Sequence, residues 1–349
     1  MLQMGHWWRH QRNPPQCHWR ARARPAQGTF RTMIVNLTPT EEQQLVEDSI
    51  RGLLADKLPV DRLREAHAHG GAVERAIWGD LVELGLFGLG LAEERGGIGY
   101  GLPEEVIVAK ALGAHLASPS IVAQMIAVHL ADDATRPALM SGEARAAFVN
   151  AFDGGAHLID GEGATHAVVV GKGGAALVAI DSLGAAEPVE LIDETVAVAK
   201  VSTDAALSGG AEVDRLSLLL ATYMAGLAGA TRDMAVDYAK TREQFGQPIG
   251  AFQAIKHQCA DLALRAAGAE TQCYHTAVTF GRGNDDGVEV ACARLLAGEA
   301  ALANAKQNIQ IHGGMGFTAE CDAHLFLKRA HLISMLGTSK VEVRKRILA

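Results

Sequence analysis

The stretch from Tyr238 to Lys256 carries the side chains best suited to hold a charged ligand. One helical pattern runs into this stretch and a second begins inside it, with Arg242, Gln244, Phe245 and Gly246 between them. A guanidinium beside exposed backbone amides suits a pyrophosphate, and a phenyl ring suits an aromatic ring system. The residues alone leave an alternative equally open, in which Arg242 caps the first helix and Phe245 belongs to the core.

Two glycine-containing turns later in the chain also have the residue types of a ligand site. The stretch Q-I-H-G-G-M-G-F ends a predicted helix at Gly313 and Gly314, where backbone can approach a ligand without a Cβ in the way. An ordinary glycine C-cap is the alternative. The stretch M-L-G-T-S, from Met335 to Ser339, places a glycine turn and two hydroxyls between the last predicted helices.

The composition favours a helical protein that binds small molecules. The chain has 349 residues, 48% of them hydrophobic and 5% aromatic, and its formal net charge is -8. No basic run indicates a nucleic-acid surface, so no nucleic-acid partner is predicted. The 5 cysteines are scattered without CxxC spacing, which is typical of reduced thiols, and no apolar stretch approaches the ~20 residues of a membrane span. These features predict a cytoplasmic protein.

The first 32 residues differ from the rest of the chain. They contain six Arg, no acidic residue and three of the four Trp. A transit peptide is one interpretation, because such segments are rich in Arg and poor in acids. A misassigned start, with Met33 as the real first residue, is the other. Either interpretation predicts disorder for residues 1–32.

The remaining sequence predicts a mainly helical fold with a small β insert. Helical periods fill residues 33–148, beginning near Leu37 where Thr40 and two acidic residues form a helix start. Short β-type runs separated by Gly, Pro and Asp fill residues 149–208, a unit of about 60 residues that is too small to stand alone comfortably. Helical patterns fill residues 209–349 and predict a four-helix bundle.

Four motifs together resemble the acyl-CoA dehydrogenase family. They are W-x-x-L-x-E-L-G-L from Trp78 to Leu86, T-R-E-Q-F-G-Q-P-I-G-A-F-Q, Q-I-H-G-G-M-G-F and L-G-T-S, in family order and at family spacing. The resemblance covers nearly everything from Leu37 to Arg346. It implies an N-terminal helical domain, a β middle domain and a C-terminal four-helix bundle.

The same resemblance implies FAD held at a subunit interface. Arg242, Gln244 and Phe245 match positions on the pyrophosphate and adenine side of the flavin, and Gln253 matches a further adenine-side position. Gln310, Gly313 and Gly314 match positions that reach the FAD of the neighbouring subunit, and Thr338 matches a position near the pyrophosphate. The predicted cofactor-binding residues are therefore Arg242, Gln244, Phe245, Gly246, Gln253, Gln310, Gly313, Gly314 and Thr338.

The implied reaction is α,β-desaturation of an acyl-CoA, in which a carboxylate removes the α-proton while the β-hydride goes to flavin N5. The weakly acidic α-proton requires a Glu with a tuned pKa. The two positions at which family members place this Glu are Leu336 and Leu216 here, and neither side chain accepts a proton. Asp214 is a weak remaining candidate, because it lies about half a helical turn from Leu216 and points to another side.

With further departures from the family pattern, the chain resembles the shortened subunits of heteromeric acyl-CoA dehydrogenases, known from steroid side-chain degradation. The Trp-x-Thr-Glu-Pro motif of the middle domain is not found, that domain is short, and Lys340 replaces a Gln that contacts the flavin in the family. In the heteromers, two unlike chains form an α2β2 tetramer and one chain supplies the base. The resemblance thus predicts an acyl-CoA substrate, a longer acyl-CoA dehydrogenase subunit as partner and a flavoprotein as electron acceptor. A homo-oligomer with a relocated base and a purely structural subunit remain alternatives.

Overall fold

The computed structural model describes residues 35–68, 72–152, 155–282 and 286–349. The predicted leader, residues 1–32, lies outside the described residues. The first part of the fold is helical: α1 (Glu41–Lys57), α2 (Ala72–Glu83), α3 (Leu102–Ala114), α4 (Pro119–Leu130) and the short α5 (Arg136–Met140). The predicted helix start is confirmed, since Thr40 and Gln43 form a capping box at the first turn of α1.

A six-stranded sheet follows the N-terminal helices. Its strands are β1 (Ala146–Phe152), β2 (Gly155–Ile159), β3 (His166–Gly171), β4 (Gly174–Ala179), β5 (Glu187–Val189) and β6 (Val198–Val201). The spatial order is β4-β3-β1-β2-β6-β5, and only the β1–β3 pair of this sheet is parallel, with Val149 beside Val169. One face joins the main core through Phe148, and the other builds a separate apolar cluster around Val149.

The sheet starts earlier than the sequence predicts. The sequence predicts helical structure up to residue 148 and strands from residue 149, whereas β1 begins at Ala146. The run Ala-Ala-Phe-Val is buried on both faces of the strand, so it lacks the period-2 alternation that marks a half-exposed strand. The sequence pattern of an alanine-rich strand that is buried on both faces therefore also fits a helix.

The C-terminal part is a helical bundle, as the sequence predicts. Its helices are α6 (Ala211–Thr241), α7 (Gln253–Thr279), α8 (Asp286–His312), α9 (Ala323–Met335) and α10 (Lys340–Leu348), with a two-stranded hairpin, β7 (Glu243–Gln244) and β8 (Gln247–Pro248), between α6 and α7. Helix α6 is buried almost all round between Leu216 and Ala228, which makes it the central helix of the bundle. Within the described residues, no helix combines the length and hydropathy of a membrane span.

Helices α3 and α6 cross with their backbones in contact at two glycines. A Cβ on Gly226 would lie 2.0 Å from the Lys110 carbonyl oxygen, and one on Gly113 would lie 2.0 Å from the Tyr223 carbonyl oxygen. Gly229, one turn further along α6, has no atom within 4 Å of an added Cβ. Of the two α6 glycines that could permit close packing, only Gly226 is used for it.

We expect Gly226→Ala and Gly229→Ala to change stability in opposite directions. The first must push two backbones apart, so the free energy of unfolding should fall by about 1–3 kcal/mol or more. The second adds a good helix former in open space and should raise the free energy of unfolding by roughly 1 kcal/mol. Chemical denaturation of the two variants beside the wild type measures both. Equal effects would contradict the described crossing.

A buried acid lies where the sheet meets α4. The side chain of Asp160 is buried, its Oδ1 accepts from the Ala197 N–H at 2.8 Å, and its Oδ2 accepts from the Ser118 hydroxyl. Burial raises the pKa of Asp160 above its ordinary value of 3.8, against the lowering effect of these two hydrogen bonds and of the nearby Arg329 charge. The folded chain therefore holds this proton more tightly than the unfolded chain does.

This raised pKa predicts a pH-dependent difference between the wild type and Asp160→Asn. As pH rises from about 4, the unfolded wild type loses the proton first, so the contribution of Asp160 to stability falls until its folded pKa is passed. The variant has no such proton, so it should gain stability relative to the wild type as pH rises above about 4, until the raised pKa of the folded wild type is passed. Denaturation at several pH values measures the difference, and Asp181→Asn, at an exposed position of the same region, is the control. A pH-independent difference would contradict the prediction.

Candidate functional site

The turn after α6 is a tight two-residue hairpin that displays its side chains to solvent. Phe245 and Gly246 connect β7 to β8 with φ values of 55° and 80°, the positive pair that a type I′ turn requires. The Ile249 N–H donates to the Arg242 carbonyl at 2.8 Å and closes the turn. The phenyl ring of Phe245 is 93% exposed and meets the Phe252 ring edge-on at 6.2 Å. The alternative of a core Phe245 is therefore wrong.

Arg242 is positioned by the helix end but its guanidinium has no partner in the described chain. Its backbone N–H donates to the Tyr238 carbonyl at 2.8 Å, and the Thr241 hydroxyl donates to the carbonyls of Asp237 and Tyr238 at 3.0 and 3.3 Å. Among the described residues, no carboxylate lies within ion-pair distance of the Arg242 guanidinium. The side chain of Arg242 is therefore exposed and available to an anion.

The second predicted turn ends α8. Gly313 has a φ of 60°, and Gly316 packs so closely that an added Cβ would lie 2.6 Å from the Ile309 carbonyl. Gly314, by contrast, would find nothing within 4 Å of an added Cβ, so no contact inside the described chain requires a glycine there. Gln310 is exposed beside it, and Phe317 is 79% exposed. The turn is thus open to a ligand or to another chain.

The fold brings these two turns together. The rings of Tyr238 and His312 stack with centroids 4.1 Å apart, and a small apolar cluster that includes Ala239 and Ile311 packs beside them. The end of α6, the start of α7 with the exposed Gln253, and the end of α8 therefore share one surface. Eight of the nine predicted residues lie on these elements: Arg242, Gln244, Phe245, Gly246, Gln253, Gln310, Gly313 and Gly314.

The ninth residue, Thr338, lies elsewhere. Its turn joins α9 to α10, where Ser339 caps α10, and it packs against α8 at Arg294, whose Nη2 donates to the Leu336 carbonyl at 2.5 Å. Arg294 and Gln310 are 16 residues apart on α8, which is about 24 Å along a helix. Within one chain, Thr338 and the other eight residues thus lie toward opposite ends of the bundle.

Both positions at which the family places its base are sealed apolar sites. Leu336 is 2% exposed and Leu216 is 1% exposed. A Cβ on Gly337 would lie 3.6 Å from Leu220 Cδ1, so the turn rests on the same α6 face. The candidate Asp214 is bonded to Arg346 at 2.8 and 3.1 Å, an ion pair that occupies both carboxylate oxygens.

Asn150 of β1 fixes the turn that contains Leu336. Its Oδ1 accepts from the Gly337 N–H at 3.0 Å, and its Nδ2 donates to the Met335 carbonyl at 3.1 Å. The side-chain amide thereby holds the backbone on both sides of Leu336. Sequence reasoning missed Asn150; the available signal was a single amide in an otherwise apolar strand. In the described part of the chain, no cluster of three or more His, Cys, Asp or Glu is arranged to hold a metal.

Comparison with known proteins gives the family. The models of the acyl-CoA dehydrogenase N-terminal and C-terminal domains match residues 40–136 and 208–349. The chain is 32% identical over 325 residues to acyl-CoA dehydrogenase IpdE2 of Mycobacterium tuberculosis, covering 89% of this chain and 98% of that protein. It is 33% identical over 338 residues to acyl-CoA dehydrogenase FadE34 of the same organism, covering 86% of this chain but only 47% of FadE34, so the chain spans about half of that relative.

Solved structures agree with this assignment. A variant of the Tcur3481-Tcur3483 steroid ACAD has a TM-score of 0.76 at 25% identity, over 88% of this chain and 96% of that chain. The ChsE4-ChsE5 complex from Mycobacterium tuberculosis shares the fold, with a TM-score of 0.75 at 21% identity over 89% of this chain and 97% of that chain. The order of the helical parts and the sheet, the four motifs and these similarities show that the chain belongs to the acyl-CoA dehydrogenase family.

Proposed function

We propose that this chain is the FAD-binding, base-lacking subunit of a hetero-oligomeric acyl-CoA dehydrogenase. The single observation that carries the proposal is the contrast between its two sets of motif residues. The flavin-type turns are exposed and have free polar groups, whereas the two base positions are leucines buried to 2% exposure or less. A chain with this pattern is suited to hold a flavin but not to remove a proton.

The residues present fit a flavin nucleotide that is shared between subunits. Arg242 offers a free guanidinium to a pyrophosphate, the ring of Phe245 offers a stacking face, and the open backbone at Gly314 admits a close approach. Thr338 lies near Arg294, toward the opposite end of α8 from Gln310, so it suits a part of the cofactor different from the part that the other eight residues contact. This separation supports an interface site rather than a pocket inside one chain.

The chain's own residues also define what it does during the reaction. When bound, FAD supplies the oxidant that accepts the β-hydride of an acyl-CoA. Leu216 and Leu336 are buried and accept no proton, so the proposal assigns removal of the α-proton to a carboxylate of the partner subunit. Asn150 holds the Leu336 turn rigid.

The relatives support a substrate class and a kind of partner for this proposal. One solved relative is described as a steroid ACAD and another as a complex of two chains, which supports a bulky, ring-bearing acyl-CoA and a longer acyl-CoA dehydrogenase as partner. An electron-accepting flavoprotein would then reoxidise the flavin. The homo-oligomeric alternative with Asp214 as base is disfavoured, because the Arg346 pair holds that carboxylate.

Co-expression tests this proposal. The chain is purified alone and together with a longer family member that retains the Glu, and flavin absorbance, size and acyl-CoA-dependent reduction of an artificial acceptor are measured. We expect a stable complex of two unlike chains that contains FAD and is active. Activity of the chain alone would refute the need for a partner, and a complex without flavin would favour a structural subunit.

A further inference from the structure

One face of α7 is exposed along most of the helix. The opposite face carries the buried Leu262, Ala266 and Cys273, and the helix packs on α3, α6 and α8. Near the middle of the exposed face, Leu264 is 75% exposed. We call this face the α7 outer face, and its exposed residues recur at helical spacing: His257, Ala260, Leu264, Ala267, Gly268 and Thr271.

The middle of the α7 outer face has the composition of a contact surface. Helix sides that face water carry mainly charged and polar residues, whereas Leu264 lies here between Ala260 and Ala267. An added Cβ on Gly268 would have no atom within 4 Å, so no contact inside the described chain requires a glycine there. Small side chains permit a close approach, because the side chains at a contact set the distance between two helix axes. This face therefore suits contact with another helix.

The charged residues that flank this face are symmetric about Ala263. Asp261 and Arg265 lie two residues before and two residues after Ala263, and Lys256 and Glu270 lie seven before and seven after it. Each of these two pairs combines opposite charges. Asp261 and Arg265 are one helical turn apart, so they lie on the same side of α7, and the other pair lies on the opposite side.

This symmetry favours an antiparallel pair of α7 helices. In an isologous contact about a two-fold axis at Ala263, Asp261 of each copy faces Arg265 of the other, and Lys256 of each copy faces Glu270 of the other. Opposite charges across two strands of contact attract, and they also fix the register. A parallel pair would instead set every one of these charges against its own copy. The charges thus select one orientation and one position of the axis.

The flanking charges are accessible to a second chain. Lys256 and Asp261 are exposed, and neither forms an ion pair with the described residues. The half-buried Arg265 donates from Nε to the Asn304 side chain at 2.7 Å, which orients its guanidinium. Glu270 is paired with Lys110 at 2.5 Å through Oε1, and its side chain is still 47% exposed. The Asp261–Arg265 contact is therefore the stronger of the two.

The apolar residues fit the same axis. Leu264 lies one residue from Ala263, so the Leu264 side chains of two copies meet about 3 Å apart along the helix direction. Ala260 of one copy then lies opposite Ala267 of the other. A leucine contact at the axis, alanines beside it and opposite charges at the flanks reproduce the apolar centre and polar rim of a protein interface.

We propose that the α7 outer face binds the same face of a second copy of this chain, antiparallel and about a two-fold axis at Ala263. The proposal goes beyond the proposed flavin function and does not rest on it, because it uses only side chains along α7.

Analytical ultracentrifugation of the full chain over a range of concentrations tests the interface. We expect a reversible dimer. Leu264→Glu should raise its dissociation constant at least about tenfold, because two carboxylates would meet at the axis. Ile192→Glu is the matched control, since Ile192 is 79% exposed between β5 and β6 and its replacement should leave the dissociation constant unchanged.

Exchange of charges tests the two-fold axis itself. Asp261→Arg and Arg265→Asp should each weaken self-association by about three- to tenfold, because like charges then face each other at both symmetric contacts. A one-to-one mixture of the two variants should recover dimers that contain one copy of each, since opposite charges face each other again. If Arg265→Asp does not fold, Lys256→Glu and Glu270→Lys make the same test on the other flank.

Three results would overturn the proposal: a wild-type chain that stays monomeric, a dimer that is insensitive to Leu264→Glu, and charge variants that do not recover on mixing. Loss of binding to the longer subunit in Leu264→Glu, with self-association unchanged, would also overturn it and would assign the face to that subunit. A monomeric chain that still forms an active, FAD-containing complex with the longer subunit would reject this interface and leave the proposed function standing.

Discussion

Arg329→Met should lower the free energy of unfolding by about 3–5 kcal/mol, the effect of breaking a buried ion pair from one side. Arg329 is 1% exposed, and its Nε donates to Asp193 Oδ2 at 2.7 Å. The same guanidinium donates to the Thr195 hydroxyl at 2.6 Å and to the Tyr223 hydroxyl at 2.7 Å. Methionine fills much of the volume but leaves the Asp193 carboxylate and these hydroxyls without their shared donor.

The expected loss is large because Arg329 joins all three parts of the fold. It lies on α9 of the bundle, Asp193 and Thr195 lie between β5 and β6, and its Nη1 also donates to the carbonyls of Leu116 and Ala117 beside α4, at 2.5 and 2.7 Å. Removing this guanidinium takes a charged donor from several buried acceptors at once, and each lost hydrogen bond lowers the free energy of unfolding.

Chemical denaturation of Arg329→Met and Lys240→Met measures the effect. Lys240 belongs to an exposed ion pair with Asp237 at 3.3 Å, and pairs of that kind contribute about 0–1 kcal/mol. The two variants remove one cation each, and only the first should change stability strongly. Similar, small losses in both variants would contradict the role assigned to Arg329.

Arg242→Ala should remove FAD from the hetero-oligomeric complex while leaving the chain folded. The Arg242 side chain is exposed and unpaired within the described residues, so its loss should change the free energy of unfolding by less than about 0.5 kcal/mol. Each charge-assisted hydrogen bond to a phosphate contributes about 1.5–3 kcal/mol, so flavin affinity should fall by at least about tenfold.

Flavin absorbance per mole of purified complex measures the Arg242 effect. Lys240→Ala is the matched control, since it removes an exposed cation two residues earlier and should leave flavin content unchanged. Full flavin occupancy in Arg242→Ala would contradict the proposed role of the turn.

Local patterns in the sequence predicted the architecture well. The capping box at Thr40, the helical periods of the bundle and the change to β-type runs all depend on neighbours close in the chain, and the mainly helical fold with a small sheet is confirmed. Strand β1 was the exception, because its buried alanines satisfy a helical pattern equally well. The residue types of the Arg242 turn left a binding turn and an ordinary helix end equally open, and its role in binding FAD stays a prediction.

Long-range polar contacts could not be predicted. Arg329 and Asp193 are 136 residues apart in the sequence. Asn150, whose side chain accepts a hydrogen bond from the Gly337 N–H, lies 187 residues before that glycine. Their partners are defined by how the sheet docks on the bundle, and no local pattern specifies that docking. The burial of Arg294 could not be predicted either, because in the sequence it is one of many charged residues on a helix.

The most direct test of the central claim is anaerobic mixing of a ring-bearing acyl-CoA with the flavin-loaded complex, prepared once with the intact longer subunit and once with the base Glu of that subunit changed to Gln. The two buried leucines at the base positions of this chain predict that flavin absorbance bleaches in the first complex and stays unchanged in the second. Bleaching in the second complex would show that this chain has a base of its own and would contradict the account.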